Sequence, residues 1–313
     1  TLWDNRALNP SVEKWLDNFS TDKEKFHALY LLSKFMYFGA VPMRNLLKSL
    51  YRDLYRYPLI ELIRKSKGNT LDSTFIESKF KEEEKNTRFL GVGNPSESGA
   101  HLLYFFRQEN NLSKKLFVYT DEVIDRNGTT EQLHFSDVKY YVFIDDFCGS
   151  GSQATTNSNI KRCVENLKRL STNVDISYLM LFATSDGIKT VKDTGLYDRV
   201  EAVMELDNTY KCFDAQSRLF PQRDNFLFER DFTQEFCYRL GQPLFRSINQ
   251  KEGWTGRKLE ELSDITALGW GDCQLLLGFY HNTPDNTLPI LWYDEEEINW
   301  FPIFRRYNKK YSL

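Results

Sequence analysis

The chain has no long apolar run, and with a mean hydropathy of −0.53 nothing in it reads as a membrane-spanning helix. Histidine is scarce. His27, His101, His134 and His281 are the only ones, none at metal-ligand spacing from another, which argues against a structural or catalytic zinc. The cysteines, Cys148, Cys163, Cys212, Cys237 and Cys273, are odd in number, widely spaced and without a C-x-x-C pair. That pattern argues against a disulfide framework and favours reduced thiols in a cytoplasmic setting. No Gly-x-x-x-x-Gly-Lys-Ser/Thr sequence occurs, so a P-loop NTPase is not indicated. No Gly-x-Ser-x-Gly occurs either, because Gly151 stands where a hydrolase elbow would need its serine. A net charge of −3 and a pI of about 5.9 argue against global attraction to nucleic acid and leave only local basic faces. No signal peptide is visible, and the chain starts at Thr1 rather than Met, as a trimmed start would.

What is present suffices for a substantial core: 313 residues, 41% hydrophobic and 15% aromatic. Residues 1–85 read as helical throughout, with apolar residues recurring at three or four over Ser11–Phe19, Lys23–Phe38 and from Val41 onward. Lys79–Lys85 is a charge run expected to be a helix end or linker. Arg44, Lys48, Arg52, Arg56, Arg64, Lys65 and Lys67 punctuate these helices. The plain reading is a solvated face, and the sharper one a partner-docking module that touches phosphates.

From Thr87 the pattern alternates. Strands are expected at Phe89–Val92, Leu116–Tyr119, Tyr141–Ile144, Val174–Thr184 and Val200–Leu206, with helices at Ala100–Glu109, Asn159–Leu170 and Gly187–Thr194. Thr120–Tyr140 is a polar excursion in which Asn127-Gly128 signals a hairpin or flap. Alternation at this spacing predicts an α/β fold with a doubly wound parallel sheet. Ligands of such sheets sit beyond the carboxyl ends of the strands. The loops Gly93–Gly99, Thr120–Glu122, Asp145–Gln153 and Ser185–Gly187 are therefore expected to meet at one edge. Residues 207 to about 270 read as a helical insertion, Gln274–Tyr280 as a buried strand, and His281–Trp292 as a stiff segment dense in side-chain donors and acceptors.

One element combines these features with chemistry. The apolar run Tyr140–Ile144 is stopped by Asp145-Asp146, then comes Gly149-Ser150-Gly151-Ser152-Gln153, then a helix with Ile160, Cys163, Val164 and Leu167 on one face. Glycines let backbone amides approach an anion, and neighbouring carboxylates can grip vicinal hydroxyls or a divalent cation. A sugar phosphate wants both.

The pattern of four apolar residues, two acids, two arbitrary residues, a small residue, Ser and Gly resembles the phosphoribosyl diphosphate (PRPP) loop of type I phosphoribosyltransferases. The resemblance implies that Asp145 and Asp146 hold the ribose hydroxyls and take part in holding Mg²⁺. It implies that Gly149, Ser150, Gly151, Ser152 and Gln153 cradle the 5′-phosphate, and that Ser96, Ser98 and Gly99 lie where pyrophosphate binds. Ser152 and Gln153 depart from the family's usual Gly and Thr. Arg88 and Arg107 are further candidate cations for pyrophosphate departure. His281 is either a packed turn histidine or, with Asn282 and Asp285, an acid/base or leaving-group contact.

The helical start, the loop Gly93–Ala100 and the Asn282–Trp292 segment together are similar to the phosphoribosyltransferase-like effectors of bacterial conflict systems, the PRTase-CE group, retron-associated effectors among them. The expected architecture is a helical region over 1–85 and a type I phosphoribosyltransferase-like domain over 86–313. The resemblance implies an antiphage effector acting on PRPP or a related activated ribose 5-phosphate, by transfer or hydrolysis. Its implied partner is a reverse transcriptase–RNA/DNA complex or another defence protein, with no membrane; a homo-oligomer is left open. The rival is a non-catalytic nucleotide-sensing or interaction module on the same fold.

Overall fold

The computed structural model describes residues 2–5, 9–92, 98–127, 130–221 and 227–306. In chain order the helices and strands are α1 (Asn9–Leu16), α2 (Asp22–Ser33), β1 (Met36–Phe38), α3 (Ala40–Ser49), α4 (Tyr57–Ser66), α5 (Ser73–Lys85), β2 (Thr87–Gly91) and α6 (Ser98–Glu109). There follow β3 (Ile124–Asn127), β4 (Thr130–Leu133), β5 (Tyr140–Cys148), α7 (Ser152–Thr156), α8 (Ser158–Leu170), β6 (Asp175–Thr184), α9 (Ser185–Asp193) and β7 (Arg199–Leu206). The chain closes with α10 (Arg230–Lys251), α11 (Gly256–Thr266) and β8 (Leu277–Phe279). Between α3 and α4, Leu50–Arg56 winds as a π-helix, with the Tyr57 amide bonded to the Arg52 carbonyl.

The chain forms two compact units, 44–205 and the discontinuous 1–43 plus 206–313. The first holds a sheet of order β2-β5-β6-β7. β5 pairs in parallel with β2 on one side and with β6 on the other. β6 is buried along almost its whole length, as a strand covered on both faces must be. One face packs Tyr141, Phe143, Tyr178 and Met180 under Ile160, Cys163, Val164, Leu167, Ile188 and Val191 of α8 and α9. On the other, Phe89 meets Tyr55 and Phe106 at ring distances of 5.1 and 5.2 Å. The doubly wound α/β class expected from the sequence, with helices ahead of the sheet, is what the structure has. The segment after α6 touches β2 through a parallel bridge, Phe89 to Phe117, on the side away from β5. The chain thus steps outward from β2, then returns to form β5 on the other side. That reversal is a topological switch point, and the crevice beyond the carboxyl ends of β2 and β5 is where such sheets take ligands.

In the other unit β1 pairs in parallel with β8. Its core gathers Trp15, Phe19, Leu31 and Phe35 with Cys237, Leu244, Leu288, Ile290 and Tyr293. The Trp15 indole donates to the Ile290 carbonyl at 2.8 Å, across 275 positions of sequence.

Several local expectations change. The helix expected to reach Phe38 ends at Ser33, because the Met36 amide donates to the Leu276 carbonyl (2.8 Å) and strand pairing takes over. Leu116–Tyr119 is a single bridge beside β2 rather than a strand. The Lys79–Lys85 charge run is, as expected, a helix end, the last half of α5. Nor do the compact units follow the ranges 1–85 and 86–313. The first helices are tied to the end of the chain by Trp15 and β1, while the helices after Met43 join the sheet. The hairpin signalled by Asn127-Gly128 is present as antiparallel β3 and β4, with residues 128–129 outside the described residues.

Candidate functional site

The acidic pair does not stop its strand. β5 runs on through Asp145 and Asp146, with Phe147 and Cys148 still in register with Phe182 and Ala183 of β6. Successive side chains of a strand leave opposite faces, and here that alternation separates the two carboxylates. Asp145 is only 4% exposed. Its Oδ2 accepts from the Tyr178 hydroxyl at 2.8 Å and its Oδ1 from the Asp146 amide at 2.9 Å. Asp146 is half-buried. Burial first, and then the Asp145 charge, push the Tyr178 phenol well above its usual value, so the phenol stays protonated and donates.

The Gly/Ser turn follows directly. Gly151 sits at φ 78° as the residue before α7, a backbone that favours glycine, and a Cβ there would stand 3.0 Å from Val191 Cγ2. Ser150 and Ser152 pair their hydroxyls at 2.9 Å, and both are solvent-accessible. The turn after β6 closes on this loop from the side. Thr184 Oγ1 donates to the Gly149 carbonyl (2.5 Å) and accepts from the Gly187 amide (2.9 Å). Gly187 approaches so closely that a Cβ would lie 2.3 Å from the Gly149 oxygen and 2.9 Å from that of Cys148. Of the segments expected to converge, Asp145–Gln153 therefore meets Ser185–Gly187, which is the first turn of α9 rather than a loop.

Ser96 falls outside the described residues, and Ser98 and Gly99 open α6. Arg88 is level with Tyr141, before the acidic pair in the strand direction. Its guanidinium lies 4.5 Å from the Phe135 ring centre and donates to the Lys85 and Thr87 carbonyls. Arg107 rests on Tyr104 at 5.7 Å. His281, Asn282 and Asp285 belong to the other compact unit. The His281 ring stacks on Phe279 at 5.6 Å, and Asn282 Oδ1 accepts from the Thr283 amide at 2.9 Å. Asp285 pairs with Arg306 at 2.9 Å, and Arg306 also donates to the Thr283 carbonyl at 2.7 Å. The dense polar segment is thus largely bonded within itself and to its flanks, as Thr287 with Leu277 and Trp292 with Thr287 also show.

The basic N-terminal helices carry their own partners. Arg44 and Lys48 face Glu109, Arg52 faces Asp53, Arg56 faces Glu77 and Lys65 faces Glu61. Arg64 donates to the Thr70 carbonyl, and Lys67 lies over Phe75. Most of the cationic stripe is therefore neutralised locally.

Two tyrosines escaped the reading of the sequence. Tyr178 holds Asp145, and Tyr197, 5.3 Å away ring to ring, donates to the Ala154 carbonyl in α7 at 3.0 Å. For Tyr178 a usable signal existed, since a phenol leading into the apolar Leu179–Ala183 run must find a hydrogen-bond partner.

A family model described as PRTase-CE matches residues 12–306. No match was found among curated proteins. Among solved structures, an orotate phosphoribosyltransferase from Aeropyrum pernix is similar at 16% identity and a TM-score of 0.24, covering 44% of this chain and 78% of its own. A xanthine-guanine-hypoxanthine phosphoribosyltransferase from Helicobacter pylori is similar at 10% identity and a TM-score of 0.28, covering 55% and 83%. Both likenesses are distant.

Proposed function

The chain belongs to the PRTase-CE family, and from that premise we propose that its Asp145–Gln153 element binds PRPP or a related activated ribose 5-phosphate for transfer or hydrolysis. The observation that carries this reading is the junction itself. A carboxylate pair and a Gly/Ser loop follow one another at the carboxyl end of β5, beside the switch point of a doubly wound sheet. In this reading the acidic pair governs the ribose hydroxyls, and the amides of Gly149–Gln153 with the Ser150 and Ser152 hydroxyls hold the 5′-phosphate. Ribosyl transfer passes through an oxocarbenium-like state, for which placed charge matters more than a strong nucleophile.

Mg²⁺ is the proposed cofactor. Among the described residues no group of three or more His, Cys, Asp or Glu is arranged to hold a metal. The half-buried Asp146 carboxylate offers hard oxygen donors, which suits an ion that draws most of its ligands from phosphate and water. When bound, the ion would offset the charge of departing pyrophosphate.

The setting proposed is antiphage defence, supported by the resemblance to conflict-system effectors. An effector of that kind needs restraint by a partner, for which a reverse transcriptase with its RNA–DNA product is our candidate. No helix among the described residues is long and apolar enough to cross a membrane.

Titration calorimetry of the protein with PRPP and Mg²⁺ tests the binding element. Saturable binding that Asp146→Asn abolishes is expected. Equal affinity in the two proteins would remove the assignment, and binding without any product would make the chain a sensor.

A further inference from the structure

The two aspartates are adjacent in sequence yet unlike in surroundings. Asp145 is buried at 4% exposure and engaged by a phenol and a backbone amide, whereas Asp146 is half-buried. We propose that Tyr178 is a positioning residue that holds the Asp145 carboxylate inside the sheet, so that Asp145, through the Asp146 amide, sets how the acidic pair meets the ligand. This rests on the reading of the acidic pair as a ribose site.

The geometry supports the division. Tyr178 is opposite Phe143 in the β5–β6 register, two positions before Met180, the partner of Asp145. Its side chain therefore reaches diagonally across the pair of strands on their common face, within the span such neighbours cover. A carboxylate removed from water needs donors, and Tyr178 and the Asp146 amide supply one to each oxygen. The bond to the Asp146 amide transmits the constraint, because turning the Asp145 carboxylate turns the acceptor of that N–H. Tyr197, its ring tilted 31° against that of Tyr178, anchors α7 through Ala154, so the acid and the loop rest on one buried aromatic pair.

Tyr178→Phe removes the hydroxyl and keeps the ring. With PRPP and Mg²⁺ as the probe in calorimetry, this variant is expected to bind roughly ten- to a hundredfold more weakly, the usual worth of a hydrogen bond to a charged group. Asp145→Asn should lose a similar factor, and the double variant no more than either alone, since both break one unit. In the ligand-free protein, NMR should show faster exchange of the Asp146 amide in Tyr178→Phe, with Ile144 unchanged. Should Tyr178→Phe not fold, Asp145→Asn provides the same exchange comparison. Wild-type binding and unaltered Asp146 exchange in Tyr178→Phe would overturn the proposal. So would complete loss of binding in Asp145→Asn beside normal binding in Tyr178→Phe. If the wild-type protein takes up no PRPP, the ribose reading fails, while the exchange comparison still decides whether Tyr178 positions the pair.

Discussion

Gly187→Ala adds one carbon at the point where the turn after β6 meets the Gly/Ser loop. The new Cβ would stand 2.3 Å from the Gly149 oxygen, and ordinary contact begins at 3.4 Å, so either the first turn of α9 or the Gly/Ser loop must retreat by about 1.1 Å. The two nearest obstacles, the Gly149 and Cys148 carbonyls, are backbone, so no side-chain rotation relieves the clash. Overpacking of this kind costs roughly 1–3 kcal/mol. For a protein of this size that is a fall in Tm of roughly 1.5–5 °C. The effect on binding should be larger in proportion, since a displacement of about 1 Å in a positioned site can cost a hundredfold. Thr184→Val makes the complementary change. It keeps the volume and removes the hydroxyl that bridges the Gly149 carbonyl and the Gly187 amide, at a cost of about 1–3 kcal/mol. Differential scanning calorimetry and PRPP titration of both variants provide the test. If Gly187→Ala melts and binds like the wild type, the two segments do not meet as described, and the reasoning from convergence fails.

Trp15→Phe should lower the urea midpoint by the equivalent of about 1–3 kcal/mol, because a fully buried indole loses both volume and its bond to Ile290; an unchanged midpoint would show that the two ends of the chain are not joined there. Asp175 offers a pH test. Burial first, and then nearby Asp198, raise its pKa, so ionisation costs native stability at pH values above the folded pKa and costs nothing below the ordinary Asp value of about 4. Asp175→Asn should therefore melt higher than the wild type at neutral pH, with the gain shrinking as pH falls towards about 4. Equal melting at neutral pH would contradict this.

The parts of the fold that are legible in the sequence are those governed by local rules. β5 shows as an apolar run, α8 through Ile160, Cys163, Val164 and Leu167 at helical spacing, and the β3–β4 hairpin through Asn127-Gly128. Periodicity carries no information about partners far along the chain. Met36–Phe38 continues the apolar character of α2, and only the Leu277–Phe279 strand beside it turns that stretch into β1. The same limit hid the compact units, whose boundaries depend on contacts such as Trp15 with Ile290.

At the candidate site the order of residues revealed the strand, acids and loop, but not which acid is buried. That distinction comes from Tyr178, thirty-three positions away. The Asn282–Trp292 segment shows the opposite case. Its density of polar groups suggested chemistry, and the structure shows much of that polarity spent on bracing, as in the Asp285–Arg306 pair and the Thr287 bond to Leu277.

The central claim is that the Asp145–Gln153 element handles an activated ribose phosphate. Its most direct test is pyrophosphate release from PRPP with Mg²⁺, measured for the wild-type protein and for Asp146→Asn, with and without nucleobases. Release by the wild type and its loss in Asp146→Asn are expected. Equal release by both proteins would contradict it.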